Sequence, residues 1–194
     1  MPQGKGPFPA VIVCHPHSLY GGSMWNNVVI AACQSLSAAL IAAFRFNFRG
    51  VGKSGGTFGG GSAEQADVKA ALDLVSSTSD IDPGRIGLVG YSFGGSVSLP
   101  VALKDERVRF LALVSPALTD SGWDQLEQYH RPVLVLAGSA DSIVRTDRLQ
   151  KYSKGLQPPA QYQMVPGADH FWLDHEAELS RILTDFFVDG LKSS

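Results

Sequence analysis

Six short apolar runs, at residues 10–14, 42–48, 85–89, 110–114, 132–137 and 161–165, alternate with longer stretches of helical periodicity at 25–39, 63–75, 93–104, 146–154 and 177–188. Strands joined through helical crossovers pair in parallel, so the alternation predicts a mainly parallel sheet of about six strands with helices on both faces, a three-layer αβα arrangement. Sheets of this kind hold ligands beyond the carboxyl ends of their strands. The loops that open at His15, Arg49, Gly90, Ser115, Gly138 and Pro166 are therefore the places to look for chemistry.

The chain has 194 residues, of which 44% are hydrophobic and 18% charged, which fits one globular domain over 1–194. A net charge of -2 lacks the basic footprint that nucleic acid or an anionic membrane would need, leaving small molecules as the expected partners. No formal charge lies between His17 and Arg45, but Asn26, Asn27, Gln34, Ser35 and Ser37 break the run. Trp25, Val28, Val29, Ala32, Leu36, Ala39 and Leu40 recur there at steps of three or four, so the segment reads as an amphipathic helix rather than a membrane span. The opening "MPQGKGPFPA" lacks the basic-then-apolar layout of a signal peptide, and a cytoplasmic location is expected. Cys14 and Cys33 read as buried thiols.

Two stretches fit Gly-x-Ser-x-Gly, centred on Ser54 and Ser92. A serine nucleophile of this type sits on a sharp turn between a strand that ends just before it and a helix that starts just after it. "RIGLVGYSFGGSVSLPVAL" meets that demand at Ser92, where Gly90 and Gly94 remove Cβ atoms from the close approach of strand and helix. "NFRGVGKSGG" does not, because "GGTFGGGSAEQ" follows as a flexible glycine run that delays any helix to about Ser62. The same stretch ends like a phosphate-binding Walker loop, yet Asn47 stands where that motif requires glycine, and again no helix begins at Lys53 and Ser54. It reads as a supporting loop in which Arg49 ties neighbouring carbonyls or a carboxylate.

A serine hydroxyl is a weak nucleophile at neutral pH and needs a histidine to take its proton and a carboxylate to orient that histidine. Asp141 follows the strand "PVLVLAG" and His170 follows "YQMVPG", which gives the order Ser, Asp, His. Asp147 is a weaker carboxylate candidate because it lies inside a predicted helix, Asp169 would point away if His170 faces the site, and His130 and His175 read as structural. The oxyanion of a tetrahedral intermediate requires backbone N–H donors. Phe93 supplies one, and the loop "CHPHSLYGGSMW" supplies the other through His17, with Ser18 as the fallback. His15 and His17 could suggest a metal, but neighbouring carboxylate or histidine ligands are missing from the local sequence, and no metal or cofactor is expected.

"HPHSLYGG", "NFRGVGKSGG", "GYSFGG", "GSAD" and "GADHFW" together resemble the α/β-hydrolases, and most closely the small, lidless, esterase-like branch related to dienelactone hydrolases. The resemblance covers residues 8–188. It implies Ser92 as nucleophile, His170 as general base and then acid, and Asp141 as its orienting carboxylate. Three departures stand out: Ser18 where relatives usually have proline, Pro100 inside the helix that follows the elbow, and a chain that starts almost at the family's third strand. Without the usual two N-terminal strands, the strand at 42–48 becomes an exposed edge, expected to be covered by a second subunit or by part of a longer protein. Only 17 residues, 115–131, separate two strands where a cap domain is commonly inserted, enough for one short helix and an open site. Leu19, Tyr20, Trp25, Leu118, Trp123, Phe171 and Trp172 are candidates for its apolar walls. The expected activity is a carboxylesterase for small soluble esters. Thioesterase, lactonase or amidase chemistry on the same triad, and a non-catalytic ligand-binding relative, are the alternatives.

Overall fold

The computed structural model describes residues 1–144, 149, 151–152 and 160–191. Six strands, β1 (Phe8–Cys14), β2 (Ala42–Arg45), β3 (Ile81–Tyr91), β4 (Val108–Val114), β5 (Val133–Gly138) and β6 (Ala160–Val165), form one sheet in the order β2-β1-β3-β4-β5-β6. Every pairing is parallel, for example Val11 against Gly87 and Leu113 against Val135. Five helices are assigned bounds: α1 (Asn27–Ala38), α2 (Glu64–Ser76), α3 (Phe93–Lys104), α4 (Asp120–Glu127) and α5 (Glu176–Leu191). Leu149, Lys151 and Tyr152 are also helical. The rest of the helix expected at 146–154, Asp147 included, lies outside the described residues.

The two-residue period of the strands divides the core into two layers. Ala10, Ile12 and Cys14 of β1 point to the side where Val68, Leu72 and Val75 of α2 and Val97, Leu99 and Ala102 of α3 pack. Val11 and Val13 point to the other, against Val28, Val29 and Leu36 of α1 and Leu179, Leu183 and Phe187 of α5. The central strands are buried on both faces, which is why they read as unbroken apolar runs instead of alternating ones. Each buried Val, Leu, Ile or Phe side chain in these layers stabilises the fold by about 1.5–3 kcal/mol relative to exposure.

Most boundaries fall within two residues of the sequence expectation; α5 runs three residues further, to Leu191, and the larger differences at β2 and β3 have local causes. β2 stops at Arg45, short of Phe48, because the backbone there is taken by side chains: Phe48 N–H donates to His15 Nε2 at 3.0 Å. β3 begins at Ile81, ahead of the turn in which Asp82 Oδ1 accepts from Gly84 N–H, since Ile81 already pairs with Phe8. α1 starts after Trp25 because Asn26 caps it, its side chain accepting from Val28 N–H at 3.0 Å. α3 continues through Pro100 to Lys104 as one helix. Between β4 and β5 the only assigned element is α4, the one short helix for which the spacing leaves room. Among the described residues no helix is long and apolar enough to cross a membrane.

Candidate active site

Ser92 occupies the turn between β3 and α3 with φ 53° and ψ -116°, a left-handed conformation strained for any residue with a side chain. Its backbone is held on both sides: the N–H donates to Val114 O at 2.9 Å, and the carbonyl accepts from Gly95 N–H at 2.9 Å. Nothing larger than hydrogen fits at the flanking glycines. A Cβ on Gly90 would lie 2.5 Å from Gly95 Cα, and one on Gly94 would lie 2.4 Å from Cys14 O. Both obstacles are backbone atoms and cannot swing aside, so the two glycines let α3 begin directly behind the serine.

Asp141 and His170 reach the same point from the ends of β5 and β6. Ser92 Oγ is 3.1 Å from His170 Nε2, and His170 Nδ1 is 2.8 Å from Asp141 Oδ2, in the arrangement where the hydroxyl donates to Nε2 and Nδ1–H donates to the carboxylate. All three side chains are nearly closed to solvent, with Ser92, Asp141 and His170 exposed by 8%, 7% and 6%. The second oxygen of Asp141 accepts from the backbone N–H groups of Ile143 at 2.9 Å and Val144 at 2.8 Å. Burial pushes the Asp141 pKa up, but the His170 hydrogen bond and these two N–H donors outweigh it and hold the carboxyl below its ordinary range.

The histidine loop is fastened from several directions. Tyr91 Oη donates to His170 O at 2.8 Å, Asn27 Nδ2 donates to Phe171 O at 2.9 Å, and Trp172 Nε1 donates to Ser115 Oγ at 3.1 Å. Tyr91 immediately precedes the nucleophile, so one turn fixes both Ser92 and the backbone of its partner. Asp169 accepts from Phe171 N–H, which leaves His170 alone in the relay.

The oxyanion loop lies against the elbow. The His17 ring is 4.8 Å from the Phe93 ring, which brings the two expected backbone donors to neighbouring residues in space. His17 also caps its own loop, with Nδ1 accepting from Leu19 N–H and the carbonyl accepting from Tyr20 and Gly22 N–H. His15 has a different use from the metal ligation its spacing could suggest. Nε2 accepts from Phe48 N–H while Nδ1 faces Pro16 O at 2.7 Å, which makes the ring a neutral cross-link between the first two loops, and burial lowers its pKa. Among the described residues no group of three or more His, Cys, Asp or Glu is arranged to hold a metal ion.

The expected apolar walls divide. Leu19, Tyr20 and Phe171 are exposed, by 66%, 87% and 53%, and stand by the site: Tyr20 against His17, and Phe171 edge-on to His170. Trp25 is exposed but lies under the Arg45 guanidinium, 4.3 Å from its ring, out toward the sheet edge. Leu118 is half-buried and packs against the α2–α3 layer. Trp123 and Trp172 are corrections. Trp123 is buried in the core and stacked on Tyr152, and Trp172 turns inward through a left-handed backbone, φ 59°, to reach Ser115. Neither presents a ring to a substrate.

One residue absent from the sequence expectation joins the site. Phe58, in the glycine run between β2 and α2, packs 4.9 Å from the His17 ring and 5.6 Å from the Phe93 ring. That run is also more tied than its composition suggests, since both oxygens of the buried Glu64 accept backbone N–H groups from it, Gly59 and Gly61 each at 2.7 Å. Arg49 does find its carboxylate, in a two-pronged ion pair with Asp67 that includes Nη2 to Oδ1 at 2.7 Å. The clefts lined by Phe110 and Ile182 and by Phe44 and Leu74 include no member of the Ser92 relay.

Comparison with known proteins places this geometry in a family. The profile of the Dienelactone hydrolase family matches residues 59–184. An uncharacterized protein of Rickettsia prowazekii is 32% identical over 188 residues, covering 93% of this chain and 79% of the relative. An uncharacterized protein of Mycobacterium tuberculosis is 28% identical, over 85% of this chain and 64% of its own length. Among solved structures, an α/β serine hydrolase homologue from Coxiella burnetii superposes with a TM-score of 0.86 at 34% identity, covering 95% of this chain and 87% of that one. A lidless α/β serine hydrolase from Xanthomonas campestris gives 0.88 at 32% identity, covering 100% and 88%. With more than half its length matched and its fold superposing on these hydrolases, the chain belongs to the dienelactone hydrolase family and is a hydrolase of the lidless α/β type.

Proposed function

We propose that the chain is a serine carboxylesterase that cleaves small esters through an acyl-enzyme on Ser92. The observation that carries this reading is the continuous hydrogen-bonded line from Ser92 Oγ through His170 to Asp141, at 3.1 and 2.8 Å, on a serine held at a strained turn. Ser92 Oγ attacks the ester carbonyl carbon while its proton passes to His170 Nε2. The carbonyl π electrons move onto oxygen, and the oxyanion is met by the N–H groups of Phe93 and His17. Collapse breaks the bond to the alkoxy group, which leaves as alcohol with the proton from His170. Water then gives its proton to His170 and adds to the acyl carbon, and a second collapse releases the acid and returns the proton to Ser92. No cofactor is needed for any step.

An open site with exposed Tyr20, Leu19 and Phe171 at its mouth favours small acyl groups over long chains that need an enclosed tunnel. Lactones and thioesters pass through the same tetrahedral chemistry, so the decisive experiment is a panel of p-nitrophenyl esters, thioesters and lactones run with wild type and Ser92→Ala. Turnover of short esters that disappears in the folded Ser92→Ala protein supports the reading. Turnover unchanged by that substitution overturns it. Failure of wild type to react with a fluorophosphonate would point instead to a binding protein that keeps the fold.

A further inference from the structure

The backbone donors at Phe93 and His17 come from segments far apart in sequence, and both must be fixed before an oxyanion appears, because a donor that moves into place during the reaction loses most of its advantage. Phe93 is fixed by α3. The His17 loop ends in a single 3-10 turn at Ser18–Tyr20 with Tyr20 largely exposed, so something else must hold it against the elbow. Ring contacts supply it: Phe48 packs on His15 and on Phe93, at 4.7 and 5.9 Å, and at His17 itself the rings of His17, Phe93 and Phe58 form a closed triangle with sides of 4.8, 5.6 and 4.9 Å.

Phe58 in turn is anchored. It precedes a turn in which Gly60 and Gly61 adopt φ 69° and 94°, wrapped around Glu64 so that Oε1 accepts from Gly59 N–H and Oε2 from Gly61 N–H. Glu64 is a fully buried carboxylate at the start of α2, spent entirely on the shape of this loop. Burying a charge is expensive and is tolerated when hydrogen bonds to the charged form compensate. The upstream end is pinned as well, by Arg49 on Asp67 and by Ser54 Oγ donating to Asn47 O at 2.7 Å. Asn47 Oδ1 accepts from Met24 N–H at 2.8 Å, a direct bond from this loop back to the far side of the oxyanion loop. Gly61 reaches the Phe93 ring too, since a Cβ there would lie 3.5 Å from Cε2.

We propose that Phe58 is a positioning residue for the oxyanion hole, held by the Glu64 carboxylate and acting by gripping the rings of the two residues whose N–H groups receive the oxyanion. The inference rests on the reading that Ser92 is the nucleophile and that Phe93 and His17 are the donors. It gives the second half of "NFRGVGKSGGTFGGG" a role: a rigid brace where the composition suggested a flexible run.

The test needs no natural substrate. Fluorophosphonate phosphonylates Ser92 by displacement of fluoride, with the phosphoryl oxygen in the oxyanion hole, so its saturable rate separates binding of the probe from the chemical step. Phe58→Leu keeps an apolar side chain and removes the ring, and Phe58→Tyr keeps the ring on a half-buried position. Losing a donor outright costs about 10²–10³ in rate, so a donor left merely loose is expected to cost about tenfold to a hundredfold. The expected result is that loss in the maximal labelling rate of Phe58→Leu, with the half-saturating probe concentration and the pH profile of labelling unchanged, and recovery of the rate in Phe58→Tyr. A general loss of folding would lower the fraction labelled instead of its rate, and in that case Glu64→Gln, which weakens the brace from behind, is read by the same measurement. An unchanged rate overturns the inference. So does a shift in half-saturation alone, which would make Phe58 a wall of the substrate site, or a shifted pH profile, which would mean the effect runs through His170. Absence of labelling in wild type would instead remove the reading of Ser92 on which the inference stands.

Discussion

Asp141 shows how much a single side chain settles here. Its two oxygens are divided: Oδ2 takes Nδ1–H of His170, and Oδ1 takes the N–H groups of Ile143 and Val144. The first bond fixes the tautomer that leaves Nε2 free to accept from Ser92, and the second stops the carboxylate from rotating. In Asp141→Asn the amide can offer N–H to Nδ1, which favours the opposite tautomer and puts a proton on Nε2 where Ser92 needs an acceptor. Ester turnover is expected to fall by about 10⁴-fold with little change in fold, the size this change has in Ser-His-Asp enzymes. Steady-state kinetics beside a circular dichroism spectrum check it. The lowered pKa adds a second consequence. Because the folded value lies below the ordinary 3.8, the ionised carboxylate contributes stability that is complete above about that pH and is lost as pH falls through the folded value. The Asn variant should lack that share of the acid dependence.

At the scale of elements, the site is a set of loops sewn together by side chains, and His15 is the stitch between the first two. It is fully buried, its Nε2 must stay unprotonated to accept from Phe48 N–H, and burial lowers its pKa below the ordinary 6.5. For a histidine with a lowered folded value the unfolded chain binds more protons, so stability is complete above about 6.5 and declines as pH drops below it. Urea midpoints at about pH 7.5 and about pH 5.5 should therefore fall on acidification, and His15→Gln should flatten that difference. An unaltered slope in the variant would assign the acid loss to other groups. The same loops explain what the sequence made legible. The elbow could be read because its strand, glycines and helix are contiguous, and the partners because each directly follows an apolar strand. The His15 bond, the Glu64 clamp and the Phe58 contact could not, since each joins residues on different loops whose approach exists only once the sheet has assembled. Trp172 leaves the site for a related reason, since a left-handed backbone that the sequence does not announce turns the ring into the core.

At the scale of the whole molecule, the sheet has an unequal pair of edges. β6 pairs along six residues with β5, whereas β2 pairs with β1 through only Ala42, Ala43, Phe44 and Arg45 and has no strand beyond it among the described residues. Unpaired backbone groups on an edge are a template for another strand unless charge, proline or a covering element blunts them. Here one end of the cleft beside the edge is apolar, lined by Phe44, Phe46, Ala70, Ala71 and Leu74, while the paired Arg49 and Asp67 line its other end, and Leu74 and Leu40 are exposed by 54% and 48%. A two-fold pairing of β2 with its counterpart in a second copy satisfies both strands at once and buries the same residues on each side. Sedimentation equilibrium across micromolar concentrations should then detect a dimer, and Leu74→Glu, which sets two like charges at that contact without touching the core, should return the protein to monomer with its ester turnover intact. A wild-type protein that stays monomeric over the whole range rules out this pairing. The Ser92 relay itself lies at the ends of β3, β5 and β6, away from the β2 edge.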